Sequence, residues 1–251
     1  VRKCGRIPVS SSGEVIVRAT GSGADRRAGF SGLFTCGSVW ACPVCSAKIA
    51  AERQAEVERA VSGWIASGGQ VAMLTLTMRH HAGQRLSDLW DALSSAWAAV
   101  TSGSAWVAEQ SLLGVEVARE VRRGARAGQT VTERRVPWLR VVEVTHGDSG
   151  WHVHVHALLF VGALVGEADL RRVGTGIFGR WRTALRRAGL DAPLDGPGID
   201  IHLLRPGQED VISAYLSMSA AWEVTGGALK SARYGNRTPF GILSTVCDRE
   251  D

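Results

Sequence analysis

In Trp151-His152-Val153-His154-Val155-His156-Ala157-Leu158-Leu159-Phe160, three imidazoles alternate with apolar side chains and lead into an apolar run. Alternation at period two marks a β-strand, and it puts all three histidines on one face. Such a strand constrains everything around it. One face must be buried by other elements, while the other carries ring nitrogens that need partners. Imidazole is the commonest metal-binding side chain, and two of them at i and i+2 can converge on one divalent ion. A metal site is therefore the leading reading, and a solvated histidine face is the alternative.

The preceding segment His146-Gly147-Asp148-Ser149-Gly150 reads as a turn, with a strand over 138–145 on its other side. A turn centred between Asp148 and Ser149 sets Glu143 opposite His154 and Thr145 opposite His152. Opposed residues of an antiparallel pair share a face, with Cβ atoms about 4.5–5.5 Å apart. Glu143 is thereby placed to complete a site with His154 and His156, and His152 competes as third ligand. The bland alternative for Glu143 is a surface carboxylate paired with an arginine. Two imidazoles and a carboxylate leave coordination positions open, the pattern of a catalytic ion. With nitrogen and oxygen donors, Mn2+ or Mg2+ would be favoured over Zn2+ were the substrate a phosphodiester.

The rest of the chain supplies elements to bury that sheet. Residues 1–45 are rich in glycine and serine, with strand-like pieces such as Glu14-Val15-Ile16-Val17. From Ser46, the residues Ile49, Arg53, Val57, Ala60, Val61, Trp64 and Ile65 mark an amphipathic helix that stops at Gly68-Gly69. A strand over 71–78 follows, then a helix over 86–100 with Leu89, Trp90, Leu93, Ala96 and Trp97 inward. After a loop come a strand over 113–117, an arginine-rich insertion and the hairpin. A helix over 170–188, a strand over 199–203 and a last helix over 209–222 complete the order. Strands joined by short turns pair antiparallel. The expected fold class is α+β, a central five-stranded antiparallel sheet with helices on one side. Residues 1–66 are read as a cysteine-containing module with its connecting helix, and 67–251 as the main domain.

Four of the five cysteines, Cys4, Cys36, Cys42 and Cys45, fall in the first 45 residues, where there is no histidine. Cys42-Pro43-Val44-Cys45 has the two-residue spacing of a zinc knuckle, and Cys36 and Cys4 can close a tetrahedron. A structural Zn2+ held by these four is one reading. Reduced buried thiols and a redox pair at Cys42 and Cys45 are the others.

The net charge of +5 is unevenly spread. Arg119, Arg122, Arg123, Arg126, Arg134, Arg135 and Arg140 face only Glu120 and Glu133 within their segment. A second group, Arg171, Arg172, Arg180, Arg182, Arg186 and Arg187, lies on an expected helix. Guanidinium forks match phosphate oxygens, so a nucleic-acid partner is expected, against solvated faces as the alternative. No run approaches the roughly 18 apolar residues of a membrane span, and no basic leader precedes an apolar stretch. No membrane partner is expected, and the expected location is the cytoplasm. The sequence opens at Val1 and stops in Cys247-Asp248-Arg249-Glu250-Asp251, which leaves room for a longer parent protein.

Only two tyrosines are present, Tyr215 on the last expected helix and Tyr234 in a basic tail. A phenol, with an ordinary pKa near 10, needs a metal, a base or a cation to act as a nucleophile at neutral pH. Beside a metal site, Tyr215 is a candidate nucleophile, and packing on the helix face is the alternative.

Leu74-Thr75-Leu76-Thr77, the strand ending His154-Val155-His156-Ala157-Leu158-Leu159 and the distal tyrosine helix follow the order of three motifs. In these the chain resembles the HUH endonucleases, named for histidine, hydrophobic residue, histidine. More closely, it resembles the replication initiators (Rep) of rolling-circle plasmids from actinomycete-type bacteria. That likeness is carried by Cys36-Gly37-Ser38-Val39-Trp40-Ala41-Cys42-Pro43-Val44-Cys45, Arg79-His80-His81, Glu143-Val144-Thr145-His146-Gly147 and Arg237-Thr238-Pro239-Phe240. It runs from about Cys4 to Leu243.

The resemblance implies a protein that binds a plasmid double-strand origin, exposes one strand and attacks a phosphodiester with tyrosine. The products are a 5′-phosphotyrosine link and a free 3′ hydroxyl that primes replication. His154 and His156 match the metal ligands, Tyr215 the nucleophile, and Thr75 and Thr77 the first motif, which helps shape the DNA site. Glu143 falls in the Glu-Val-Thr motif, while its ligand role comes from the hairpin geometry. Arg122, Arg123, Arg126, Arg134 and Arg135 would grip DNA phosphates, and a host helicase is a candidate further partner. The chain has Met218 where the family often has a lysine, and Val211 where related initiators can place a glutamate, with Asp210 and Glu209 just before it. His80 and His81 stay unassigned. The alternatives are an HUH transposase or relaxase, and a zinc-knuckle DNA-binding regulator without cleavage.

Overall fold

The computed structural model describes residues 3–204 other than Ala24, Asp25 and Trp40, together with Arg237, Ile242 and Thr245. In chain order the elements are β1 (Ile16–Thr20), β2 (Arg27–Ser31), α1 (Pro43–Ala66), β3 (Gln70–Thr77), α2 (Leu86–Val100), α3 (Gly103–Leu113), β4 (Val115–Glu120), β5 (Thr130–Arg135), β6 (Trp138–Gly147), β7 (Gly150–Val161), α4 (Glu167–Arg187) and β8 (Ile199–Leu203). The expected last helix, with Tyr215 and Met218, lies outside the described residues, as do Tyr234 and Cys247.

The histidine strand is β7, the longest strand of a four-stranded sheet ordered β6-β7-β3-β8. Every neighbouring pair in it is antiparallel. The alternation in β7 divides the molecule. Val153, Val155, Ala157, Leu159 and Val161 point into the main core, with Leu74 and Leu76 of β3, Leu89 and Leu93 of α2, and Leu170, Ile177 and Trp181 of α4. Burying each such large side chain contributes roughly 1.5–3 kcal/mol. Trp181 also donates its indole N–H to the Thr77 carbonyl at 2.7 Å, which ties α4 to the end of β3.

The opposite face begins with the three histidines and ends with Leu158 and Phe160. Val57 and Val61 of α1 cover those last two, together with Val71. Helices therefore lie on both faces of the sheet rather than on one. The apolar residues of α1 on this face, Val57, Val61 and Trp64, lie over its Leu158 and Phe160 end.

The expected fifth strand is corrected. β4 pairs with β5 from the arginine insertion as a separate two-stranded ribbon. Its burial pattern is exposed at every position but the first, because Glu116, Arg119 and Glu120 leave neither face apolar enough to enter a sheet core. Helix α3 stands where a loop was expected. It buries only Trp106, Gln110 and Leu113 and has no side-chain cap, so its periodicity is faint in the sequence. Helix α1 starts at Pro43, earlier than the expected Ser46, since proline suits a first helical turn. Among the described residues no helix is long and apolar enough to cross a membrane.

The hairpin that starts β7 depends on Gly150, whose φ is +88°. A Cβ there would lie 2.8 Å from the Ala82 Cα and the His81 carbonyl oxygen. Gly150→Ala is expected to lower the unfolding free energy by about 1–3 kcal/mol, measured by urea denaturation. An unchanged midpoint would show that this turn is not held as described.

Candidate functional site

The β6–β7 register pairs Glu143 with His154 and Thr145 with His152, as the turn arithmetic requires. One carboxylate oxygen of Glu143, Oε2, lies 3.0 Å from His154 Nε2 and 3.3 Å from His156 Nε2. Among the described residues Glu143 meets the two imidazoles and no arginine, the pairing that was its alternative reading. Both imidazoles are nearly buried, with 9% and 4% exposure, while the Glu143 side chain keeps 30%. Burial opposes ionisation of Glu143, but hydrogen bonds from His154 and His156 and their charge hold its carboxyl well below the usual carboxylate range.

The three donors fit a divalent cation. Their ligand atoms all lie within 4.8 Å of one another. Bonds of about 2.1 Å at octahedral or tetrahedral angles separate neighbouring ligand atoms by about 3.0–3.4 Å, which matches the two carboxylate–imidazole distances. Thr75 adds an orienting contact, its Oγ1 3.0 Å from His156 Nδ1. Where a cation takes the place of the proton between His156 Nε2 and Glu143, the Thr75 hydroxyl oxygen can accept from Nδ1–H and orient the ring toward the ion. Thr77 instead donates to the Pro197 carbonyl. His154 Nδ1 is buried without a hydrogen-bond partner among the described residues.

His152 shares the face but stands outside this cluster. Its Nδ1 lies 2.9 Å from His80 Nε2, and His80 Nδ1 lies 3.0 Å from the Ser149 carbonyl oxygen. A carbonyl only accepts, so His80 donates from Nδ1. Burial, with His154 and His80 alongside, pushes the His152 imidazole down to about 4, which leaves it neutral at pH 7. Pairing between residues 72 apart leaves no local trace in a sequence, so the contact of His80 could not be read there. His81 makes local contacts, its backbone N–H donating to Gln84 and its Nδ1 accepting from Gly83.

The four N-terminal cysteines form a second cluster, also with sulfurs all within 4.8 Å of one another. Cys4 Sγ is 3.2 Å and Cys36 Sγ 3.8 Å from Cys45 Sγ. All four are free thiols. Tetrahedral Zn–S bonds of about 2.3 Å separate sulfurs by about 3.8 Å, so the set fits a zinc-type ion with small adjustment. The Cys36 amide favours a Cys4 thiolate, yet the contact with Cys45 and burial push the Cys4 thiol up to about 12. The same contact brings the Cys45 thiol down to about 7 against the cost of burial, helped by the Gly37 amide.

The arginines divide by what they touch. Arg119 and Arg135 both reach Glu133 Oε1, at 2.7 and 2.8 Å. Arg134 donates to the Gly114 carbonyl. Arg140 lies over the Trp97 ring, Arg180 holds Glu109, and Arg182 holds Asp195. Arg122, Arg123 and Arg126 are exposed in the loop that joins β4 to β5.

With this geometry in place, comparison with known proteins becomes informative. The chain is 33% identical over 246 residues to "Protein rep" of Streptomyces lividans, a match that takes in 86% of this chain and 54% of that protein. It is a relative of an actinomycete Rep protein. It is also 35% identical over 173 residues to a "Neomycin resistance protein" of Streptomyces cyanogenus, across 63% of this chain and 39% of that protein. The chain thus spans about half or less of the length of these curated relatives. No protein-family model and no solved structure matches it.

For the cysteine set of this Rep relative, Cys42→Ser should reduce bound zinc from about one ion per chain to near none, measured by elemental analysis of purified protein. A wild-type chain without zinc would overturn that reading. For the histidine set, Glu143→Gln should weaken Mn2+ binding on the order of a hundredfold, and Thr75→Val roughly tenfold. Calorimetric titration reads both, and unchanged affinity in Glu143→Gln would remove the carboxylate from the ligand set.

Proposed function

We propose that this chain initiates rolling-circle replication of a plasmid by nicking one strand at its origin, in the cytoplasm. The observation that carries the reading is the convergence of Glu143, His154 and His156 on one face of the central sheet, in a relative of a Rep protein. A divalent cation such as Mn2+ or Mg2+ would there supply Lewis acidity, drawing charge from a non-bridging phosphate oxygen.

Glu143, His154 and His156 would hold the cation, and Thr75 orients the His156 ring through Nδ1. Tyr215 is the nucleophile. Its phenolic oxygen forms a bond to phosphorus as the bond from phosphorus to the 3′ oxygen breaks. The phenol proton is released, and the 3′ oxygen takes up a proton to become the hydroxyl primer. DNA approaching this site meets a basic chain, with Arg122, Arg123 and Arg126 as phosphate contacts, while Arg134 and Arg135 are bonded to the Gly114 carbonyl and Glu133. A host helicase would widen the opening that the nick begins.

A labelled single-stranded origin oligonucleotide, incubated with Mn2+, should become covalently attached to wild-type protein and not to Tyr215→Phe. Absence of the adduct from wild type would favour a DNA-binding regulator over an enzyme. Formation of the adduct without support of replication from a plasmid origin would favour a transposase or relaxase.

A further inference from the structure

The ribbon between α3 and β6 has a property that neither cluster explains. β4 and β5 pair without interruption from Val115↔Arg135 to Glu120↔Thr130. Beyond the last pair, Val121 and Gln129 continue the ladder, the Gly128 N–H returns to the Val121 carbonyl, and Gly124 and Gly128 turn at φ of +86° and +83°. At the root, Arg134 is bonded to the Gly114 carbonyl, Leu113 and Val136 are buried, and the Val136 N–H meets Gln110. Gly114 has no room for a Cβ, which would fall 2.5 Å from the Arg135 carbonyl oxygen. The arm is anchored at its base and exposed along its length.

Its arginines have separate tasks. Those of the shaft are occupied, Arg119 and Arg135 by Glu133 and Arg134 by the Gly114 carbonyl. Arg122, Arg123 and Arg126 at the tip meet no carboxylate among the described residues, and the loop 121–129 contains no acidic residue. Residues 115–135 contain no aromatic side chain and no histidine. Proteins that hold single strands stack bases on aromatic rings, and this arm has none. A two-stranded ribbon does fit the major groove of B-DNA, and arginine forks there reach phosphates and guanine edges.

We propose that the β4–β5 ribbon is a duplex-binding arm that enters the major groove with Arg122, Arg123 and Arg126 at its tip. This rests on the proposed function for its DNA partner and assigns the arm the double-stranded part of that partner. Six residue pairs make the shaft about 20 Å long, and Pro137 to Glu143 along β6 is about 20 Å more. The shaft therefore carries its three tip arginines about 20 Å from its root.

The test compares wild type with Arg122→Gln/Arg123→Gln/Arg126→Gln in the full chain, with unchanged circular dichroism as the folding check. Fluorescence anisotropy is read on a random-sequence 30-base-pair duplex and on a 30-nucleotide single strand, across a salt series. The variant should bind duplex at least about tenfold more weakly, and its salt slope should fall by about 2.7, as expected for three lost phosphate contacts. Single-strand affinity should change much less. Dimethyl sulfate protection of guanine N7, a major-groove atom, should be lost on duplex, and replacement of the three by lysine should restore the slope. Unchanged duplex affinity and slope, or an equal loss on single strands, would overturn the arm. Loss of duplex binding in a protein that never forms the Tyr215 adduct would leave the arm standing and remove the nicking reaction.

Discussion

The pairing of β6 with β7 is the constraint on which the rest of the molecule depends. A shift of one residue would turn every histidine of β7 toward the valine-rich core and every core valine toward solvent. Hydrophobic burial holds the register from one side, through Val153, Val155, Ala157 and Leu159. The turn at Gly150, pressed against the backbone of His81 and Ala82, holds it from the end. Fixed at both points, the strands bring a carboxylate between two nearly buried imidazoles without a loop having to position any of them. Donors mounted on a central sheet are more rigidly placed than donors on loops, which suits a site whose geometry must be ready before substrate arrives.

How much of this was legible in the sequence follows from the range of the interactions. The histidine face, the opposition of Glu143 to His154 and the helix over 86–100 came from local periodicity and one short turn, where chain order and spatial order coincide. The four-cysteine set was legible because thiol spacing is so restricted by metal geometry. The place of β4 was not legible. Val115 and Val117 look like the start of a core strand until the acidic and basic residues between and beyond them are seen to face water on both sides. The contact of His80 with His152 depended on a loop folding back across the hairpin, and helix α3 was hidden by its small buried stripe.

The two clusters use opposite kinds of donor. The histidine set presents nitrogen and oxygen atoms from three residues, fewer than a full coordination shell. The cysteine set offers four sulfurs facing one another, a closed shell in which an ion would have no vacancy for substrate. That contrast supports catalysis at the first and scaffolding at the second. The second arginine group fits the same division, since Arg180 and Arg182 are spent on carboxylates that join α4 to α3 and to the segment before β8.

Helix α1 links these regions mechanically. It runs unbroken for 24 residues, about 36 Å at 1.5 Å per residue, with Cys45 in its first turn and Val57 and Val61 over Leu158 and Phe160. The thiol cluster and the packing over Leu158 and Phe160 are thus two ends of one continuous element, seated on the strand that carries the imidazoles.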